Sequence, residues 1–306
     1  MLDGWTPAPR HWVLLAFVAS ALYVHLRGRA RFRLLRALTD YTVILAPYNA
    51  LMYLFSRVRP KPFLDPASFP ELAPLQACWE QLRNEALSLN AEGRIRAATG
   101  YNDIGFNSFY RTGWKRFYLK WYGEEMPSAS KMCPFTTQLL ASIPSVKAAM
   151  FASLPPGSRL MRHRDPYAGS LRYHLGLVTP NSPDCYIDVD GQRYHWKDGE
   201  AIVFDETFIH FAENTTDQQR VILFCDVERP LYGRVLTIIN RWFGGTVMKA
   251  AATQNEVGER IGALNRIFYY AYQVRAWAKR LKVTHRPVYY LLKWLLMGGL
   301  IYLLVV

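Results

Sequence analysis

In the stretch MRHRDPYAGSLRYHLGL, residues 161–177, an imidazole and a carboxylate stand two positions apart as His163 and Asp165. Side chains at i and i+2 of an extended strand point the same way, so the two can offer one nitrogen and one oxygen to a single point. Two ligands do not hold a metal ion, and a third must come from elsewhere in the chain. Of the seven histidines, His11, His25 and His285 fall in basic terminal stretches and His195 lies beside a turn, which leaves His174 and His210. Two imidazoles and one carboxylate with open coordination positions suit non-haem Fe(II), whose vacant sites take a bidentate oxoacid and then dioxygen.

A cation follows ten residues after His210: Arg220 opens the apolar run RVILFCDV. An arginine aimed into an apolar interior needs an anion there. A dicarboxylate co-substrate would supply one through a bidentate, charge-assisted pair. The competing reading is a surface ion pair with Asp217 or Glu228.

Groups so far apart in sequence need a scaffold that gathers strands around one cavity. From residue 101 the chain has that texture. The aromatic, alternating NSFYRTGWKRFYLKWYG and the apolar VKAAMFAS are followed by LRYHLGLV, CYIDVDGQRYHW, GEAIVFDETFIHFAEN and RVILFCDVERP, each broken by Gly, Pro, Asn or Asp. The Asp-Gly pair in DVDGQRY is a hairpin signal. Many short strands with regular turns predict a sandwich, barrel or jelly roll. Upstream, Leu75, Trp79, Leu82, Ala86 and Leu89 recur at helical spacing, with Gly93 as a stop. Prolines 60, 62, 66, 70 and 74 mark a boundary before that helix. The chain therefore divides into an N-terminal membrane-associated region (1–59), a β domain with a leading helix (60–230), and basic amphipathic helices with a C-terminal membrane segment (231–306).

Composition bounds the function. At 306 residues, 51% hydrophobic and 14% aromatic, the chain can bury a full core. Its net charge of +13 sits at the ends: residues 1–40 hold 6 basic against 2 acidic residues and 229–306 hold 12 against 2, whereas 19 and 20 nearly cancel between them. That distribution points to an anionic surface rather than to a nucleic-acid groove. The ends are also apolar. Trp12–Leu26 precedes Arg27, Arg29, Arg31, Arg33 and Arg36, and Val288–Val306 follows Lys279, Arg280, Lys282 and Arg286. By the positive-inside rule both would be membrane segments with their basic flanks, and the domain between them, in the cytoplasm. The run 41–55 reads as interfacial, re-entrant or core. Four cysteines without paired spacing fit free thiols in a reducing compartment.

The blocks HRDPYAGSLRYHLGL, GEAIVFDETFIHFAENTT and RVILFCDVERP, with GWKRFYLKWYG and PFTTQLLASIPSVKAAMF upstream, resemble the aspartyl/asparaginyl β-hydroxylase family of 2-oxoglutarate-dependent dioxygenases over residues 20–230. The resemblance implies a double-stranded β-helix (jelly roll) and the cofactor set Fe(II), 2-oxoglutarate and O2. It implies His163, Asp165 and His210 as iron ligands and Arg220 as the partner of the distal carboxylate of 2-oxoglutarate. It also implies co-substrate or substrate contacts at His174, Arg172 and, in SLPPG, Ser153. Within the family the likeness is greatest to the membrane-bound branch that hydroxylates an acyl chain of lipid A beside its carbonyl. That branch implies lipid A or a lipopolysaccharide precursor and membrane lipids as partners, at the cytoplasmic face of the inner membrane. Animal peptidyl hydroxylases of the family carry glycine where Asp165 stands, so their peptide contacts do not carry over. Asp205 is read as structural, because the ligand set is complete without it. Peptidyl aspartate or asparagine hydroxylation and a non-catalytic, membrane-anchored module binding a metal or oxoacid are the rival readings. A His-x4-Asp acyltransferase is disfavoured by Ala168.

Overall fold

The strands are short because a turn residue interrupts each one before ten residues have passed. The structure, a computed structural model, describes residues 8–305 apart from 34–35, 38–39 and 98–102. Its strands are β1 (Phe63–Leu64), β2 (Lys115–Trp121), β3 (Val146–Leu154), β4 (Arg159–His163), β5 (Ser170–Val178), β6 (Cys185–Val189), β7 (Gln192–His195), β8 (Ala201–Phe204), β9 (His210–Asn214) and β10 (Arg220–Glu228). They form two sheets, one in the order β1-β8-β5-β10-β3-β2 and the other β4-β9-β6-β7. All ladder pairings are antiparallel.

From β3 to β10 the chain passes between the sheets at every connection except the β6–β7 hairpin. This alternation winds the two sheets into a jelly roll. The hairpin turns at Asp190 (φ 54°) and Gly191 (φ 84°), two successive left-handed residues as a type I′ turn requires. In the larger sheet β3, β5 and β10 are buried along nearly their whole length. The helix Trp79–Ala91 packs on β5, and burial on both faces explains why these strands read as continuous apolar runs rather than as alternation.

The helices are α1 (Pro9–Leu26), α2 (Ala46–Leu54), α3 (Ala73–Ala77), α4 (Trp79–Ala91), α5 (Pro127–Met132), α6 (Pro134–Ala141), α7 (Arg234–Phe243), α8 (Ala263–Thr284) and α9 (Arg286–Val305). The expected helix over 72–93 is present, broken at Cys78 into α3 and α4 and ended by Gly93 at φ 67°. The run 41–55 is a 3-10 turn followed by α2, with Ala46, Asn49, Ala50 and Met52 buried and Leu51 and Leu54 exposed.

The expectation of membrane-crossing segments is corrected. Among the described residues no helix is long and apolar enough to cross a membrane. Helix α1 opens on Arg10 and His11, so its apolar part from Trp12 rises only about 22 Å against a hydrocarbon core of about 30 Å. Helix α9 carries Arg286 and Lys293, and the end of the expected segment at Val306 lies outside the described residues.

An arm from the N-terminal side reaches the β core. Between α1 and α2 the backbone N–H groups of Arg29 and Ala30 donate to the Asp190 carboxylate, at 2.7–2.9 Å. Gly28 (φ 86°) makes that approach possible, because a Cβ there would lie 2.7 Å from Asp190 Oδ1 and 2.9 Å from the Phe208 ring. Arg27 enters a buried site, donating to Asp205 Oδ2 and Thr207 Oγ1 at 2.5 Å each. Asp205 is gripped from the other side by Arg229 at 2.9 Å. Burial acts to raise the Asp205 carboxyl, but Arg229 and Arg27 hold it well below the usual carboxylate range. This residue is structural, as expected.

Candidate metal centre and oxoacid cavity

Strand pairing completes the ligand set. In the β4–β9 ladder His163 lies directly opposite His210, so both rings point to one side of the small sheet. Their centroids are 4.2 Å apart. Asp165 follows two residues beyond His163 and brings Oδ1 to 3.7 Å from His163 Nε2. One ligand atom from each of the three residues lies within 4.8 Å of the others.

The histidines are set for metal rather than for protons. Nδ1 of His163 faces the Met161 carbonyl at 2.6 Å, and Nδ1 of His210 faces the Phe208 carbonyl at 2.9 Å. A ring nitrogen against a carbonyl oxygen must carry the hydrogen, which leaves each Nε2 lone pair free as a ligand. Burial lowers both histidines, His210 to about 3, so the neutral form that binds metals prevails. Asp165 stays ionised although burial opposes it, because Arg172 and the two imidazoles hold its pKa down. The donor set therefore fits Fe(II), and the protein's own hydrogen bonds aim it.

Arg172, expected to contact the co-substrate or substrate, lines the same cavity and is engaged there by the protein's own carboxylates. On β5 it faces Asp226 of β10 and Phe204 of β8. Its guanidinium donates to Asp165 Oδ2 at 2.6 Å and to Glu206 Oε2 at 2.5 Å through Nε, and pairs with Asp226 Oδ1 at 3.0 Å. Three carboxylates thus occupy one cation. Burial, with Asp226 and Asp165 nearby, pushes Glu206 up to about 8 even though Arg172 acts the other way. The arginine fixes the Asp165 oxygen that does not face the histidines.

Arg220 is the opposite case. It is 2% exposed and has no carboxylate partner among the described residues, and its Nε has no hydrogen bond. The Trp196 ring lies against it, 4.3 Å away. Cation–π stacking contributes about 2 kcal/mol or somewhat more when desolvated, against the several kcal/mol that an unpaired buried charge costs. Burial accordingly lowers Arg220 to about 10. Beside it His174 is buried with both ring nitrogens unbonded, and burial together with Arg220 keeps it neutral. These orphaned groups share one cavity with the His163, Asp165 and His210 set, otherwise walled by aromatic and aliphatic side chains such as Phe109, Trp114, Leu160 and Ile187. A larger cavity of about 310 Å³, beneath α7, contains none of them.

Ser153 does not reach this cavity. In the β3–β10 ladder it lies opposite Val221, while Leu154 and Ala152 lie opposite Arg220 and Ile222. Alternation therefore turns Ser153 to the other face of the sheet.

Sequence reasoning missed Glu206, Asp226 and Arg164. Arg164, between the ligands His163 and Asp165, points away from the metal site and is buried. It donates to Thr42 Oγ1 at 2.9 Å and to the Val24 carbonyl at 3.3 Å, with Asp40 Oδ2 at 3.5 Å. Arg27 stacks 4.0 Å from the Phe208 ring, whose carbonyl orients His210. The N-terminal arm thus braces the backbone on both sides of the metal site. Only the position of Arg164 within His-Arg-Asp hinted at this in the sequence.

A jelly roll with two histidines, one carboxylate and an unpartnered cation in a common cavity defines an oxygen-activating, metal-dependent class of protein. Residues 76–230 match the model of the aspartyl/asparaginyl beta-hydroxylase family, and the chain belongs to that family. It is an enzyme of the dioxygenase type, and the family as a whole depends on Fe(II) and 2-oxoglutarate. The ornithine lipid ester-linked acyl 2-hydroxylase of Rhizobium tropici is 35% identical over 192 residues, which cover 61% of this chain and 68% of that protein. Human aspartyl/asparaginyl beta-hydroxylase is 27% identical over 161 residues, covering 51% of this chain and only 21% of the human protein. Among solved structures, a prolyl-4-hydroxylase from Pseudomonas putida is similar at a TM-score of 0.34 and 17% identity, covering 50% of this chain and 87% of the other.

Proposed function

We propose that this enzyme hydroxylates a fatty acyl chain of lipid A at its 2-position, at the cytoplasmic face of the inner membrane, using Fe(II), 2-oxoglutarate and O2. The observation that carries the reading is the pairing, in one cavity, of the His163, Asp165 and His210 ligand set with the unpartnered Arg220. Fe(II) bound by those three residues would supply activation of dioxygen, so that one oxygen atom enters an aliphatic C–H bond and the other leaves in succinate as CO2 is released. Arg220 holds the distal carboxylate of the oxoacid, and His174 meets it with a neutral ring nitrogen. Arg172 keeps Asp165 in position, and the Phe109 ring, 4.6 Å from that of His163, limits water at the site.

The cavity favours an apolar acceptor. Arg220 is the one cation in its lining without a carboxylate among the described residues, and the oxoacid takes it. An aspartyl substrate would need a second. A cytoplasmic site also suits four free cysteines. The name of the Rhizobium relative favours a second acceptor of the same chemistry, the ester-linked acyl chain of an ornithine lipid.

Lipid mass spectrometry in a host lacking both activities tests the reading. Expression of the chain should add one oxygen atom to lipid A, and the Asp165→Ala variant should add none. Addition to ornithine lipid alone would move the assignment to the second acceptor. Unchanged acyl lipids, with succinate released on addition of a peptide, would overturn both.

A further inference from the structure

Helix α7 is built inside out. Its polar Asn240 is buried, accepting from the Tyr48 hydroxyl at 2.6 Å and donating to the Gly169 carbonyl at 2.9 Å. Its apolar stripe faces outward instead: Val235 is 69% exposed, Ile238 56%, Ile239 41% and Trp242 65%. Positions 235, 238, 239 and 242 follow the i, i+3, i+4, i+7 rule for one helix face. These hydrogen bonds, with a further one from the Tyr167 hydroxyl to Asn240, fix which side that is.

The stripe continues onto neighbouring helices. The Tyr232 N–H, just before α7, donates to the Phe55 carbonyl at the end of α2, 2.7 Å away. There Leu51, Leu54 and Phe55 are exposed. Helix α2 packs on α1, where Tyr23 meets Tyr53 edge-on, and α1 exposes Leu14, Leu15, Val18 and Leu22. So broad an apolar face is far more than scattered surface residues provide.

Charge identifies what covers it. None of the three helices contains an acidic residue. Exposed arginines stand at their ends: Arg29, Arg31 and Arg33 after α1, Arg57 and Arg59 after α2, and Arg234 at the start of α7. A second copy of the chain would bring the same positive rim to a two-fold interface and be repelled. A bilayer with anionic headgroups offers both an apolar interior and negative charge at its surface.

We propose that α1, α2 and α7 form a single docking face on which the enzyme lies in the interface of an anionic bilayer, without crossing it. The face is tied to the chemistry, because the last turn of α1 supplies the Val24 carbonyl that holds Arg164 between two metal ligands. As the route by which a lipid reaches the metal, the docking face rests on the lipid-hydroxylase reading; as a membrane-binding surface it does not.

Flotation of the full-length protein with vesicles lacking any substrate lipid separates the two. The protein should float with phosphatidylglycerol vesicles and bind phosphatidylcholine vesicles about tenfold more weakly, the preference fading in high salt. Ile238→Asp combined with Trp242→Asp should reduce binding about a hundredfold, and Leu54→Asp on α2 should reduce it too. Melting temperature and succinate release from 2-oxoglutarate without lipid should not change. Wild-type protein that fails to float, variants that float as well as wild type, or a wild-type dimer that these substitutions turn into a monomer would each overturn the docking face. Loss of lipid hydroxylation with docking intact would instead count against the function proposed above.

Discussion

Two buried arginines line one cavity and have opposite surroundings. Arg172 is held by Asp165, Glu206 and Asp226, while Arg220 has the Trp196 ring and no anion. The first carries more negative charge than it can neutralise, and its pKa is raised despite burial, chiefly by Asp226 and Glu206. The second is a charge the fold leaves uncompensated. A cation saturated by the protein serves the protein; one left bare serves a ligand. Under the proposed function the difference would put Arg172 at the metal end of the cavity and Arg220 at the oxoacid end, although both occupy buried strand positions of the same sheet.

The comparison breaks most readily at Arg172. Replacing it with methionine leaves three buried carboxylates unpaired, and urea denaturation should show a loss of about 3–5 kcal/mol. Arg220→Met removes an unpaired charge, so the same measurement without ligand should show no loss or a gain of about 1–3 kcal/mol. Equal destabilisation by the two variants would remove the distinction. The ligand response sharpens it next. In wild-type enzyme, 2-oxoglutarate at about 100 times its Kd should stabilise the fold by about 2.7 kcal/mol. Arg220→Met should abolish that shift and raise KM for the oxoacid about a hundredfold. The smallest effect is expected at Ser153, which faces away from the cavity: Ser153→Ala should leave that KM within about twofold, typical of a site without ligand contact. A tenfold rise would place the serine back in the oxoacid site.

The two arginines also mark how far the sequence could be read. The jelly roll was legible from short runs and turn residues, since Asp190–Gly191 makes the expected hairpin. His163 and Asp165 were legible because strand alternation alone sets them side by side. The choice of His210 over His174 was not, since it depends on which strand pairs with β4. The carboxylates around Arg172 are not legible for a similar reason: Glu206 and Asp226 lie 34 and 54 residues further along, and nothing local announces that the ladder brings them together. Ser153 comes from the resemblance alone, and one residue of register reverses a strand side chain. Composition alone does not decide the terminal helices, since apolar content does not distinguish a helix that crosses a bilayer from one lying upon it.

The N-terminal arm changes where the catalytic unit begins. The family match starts at residue 76, yet Arg164 is anchored by Val24, Asp40 and Thr42, and Asp205 by Arg27. A fragment trimmed to the matched region would keep every metal ligand and lose the parts that hold them still. Grafting this chemistry onto another anchor would therefore require carrying about fifty residues that precede the family match, because loss of such remote supports typically costs 10–100-fold in metal affinity or activity.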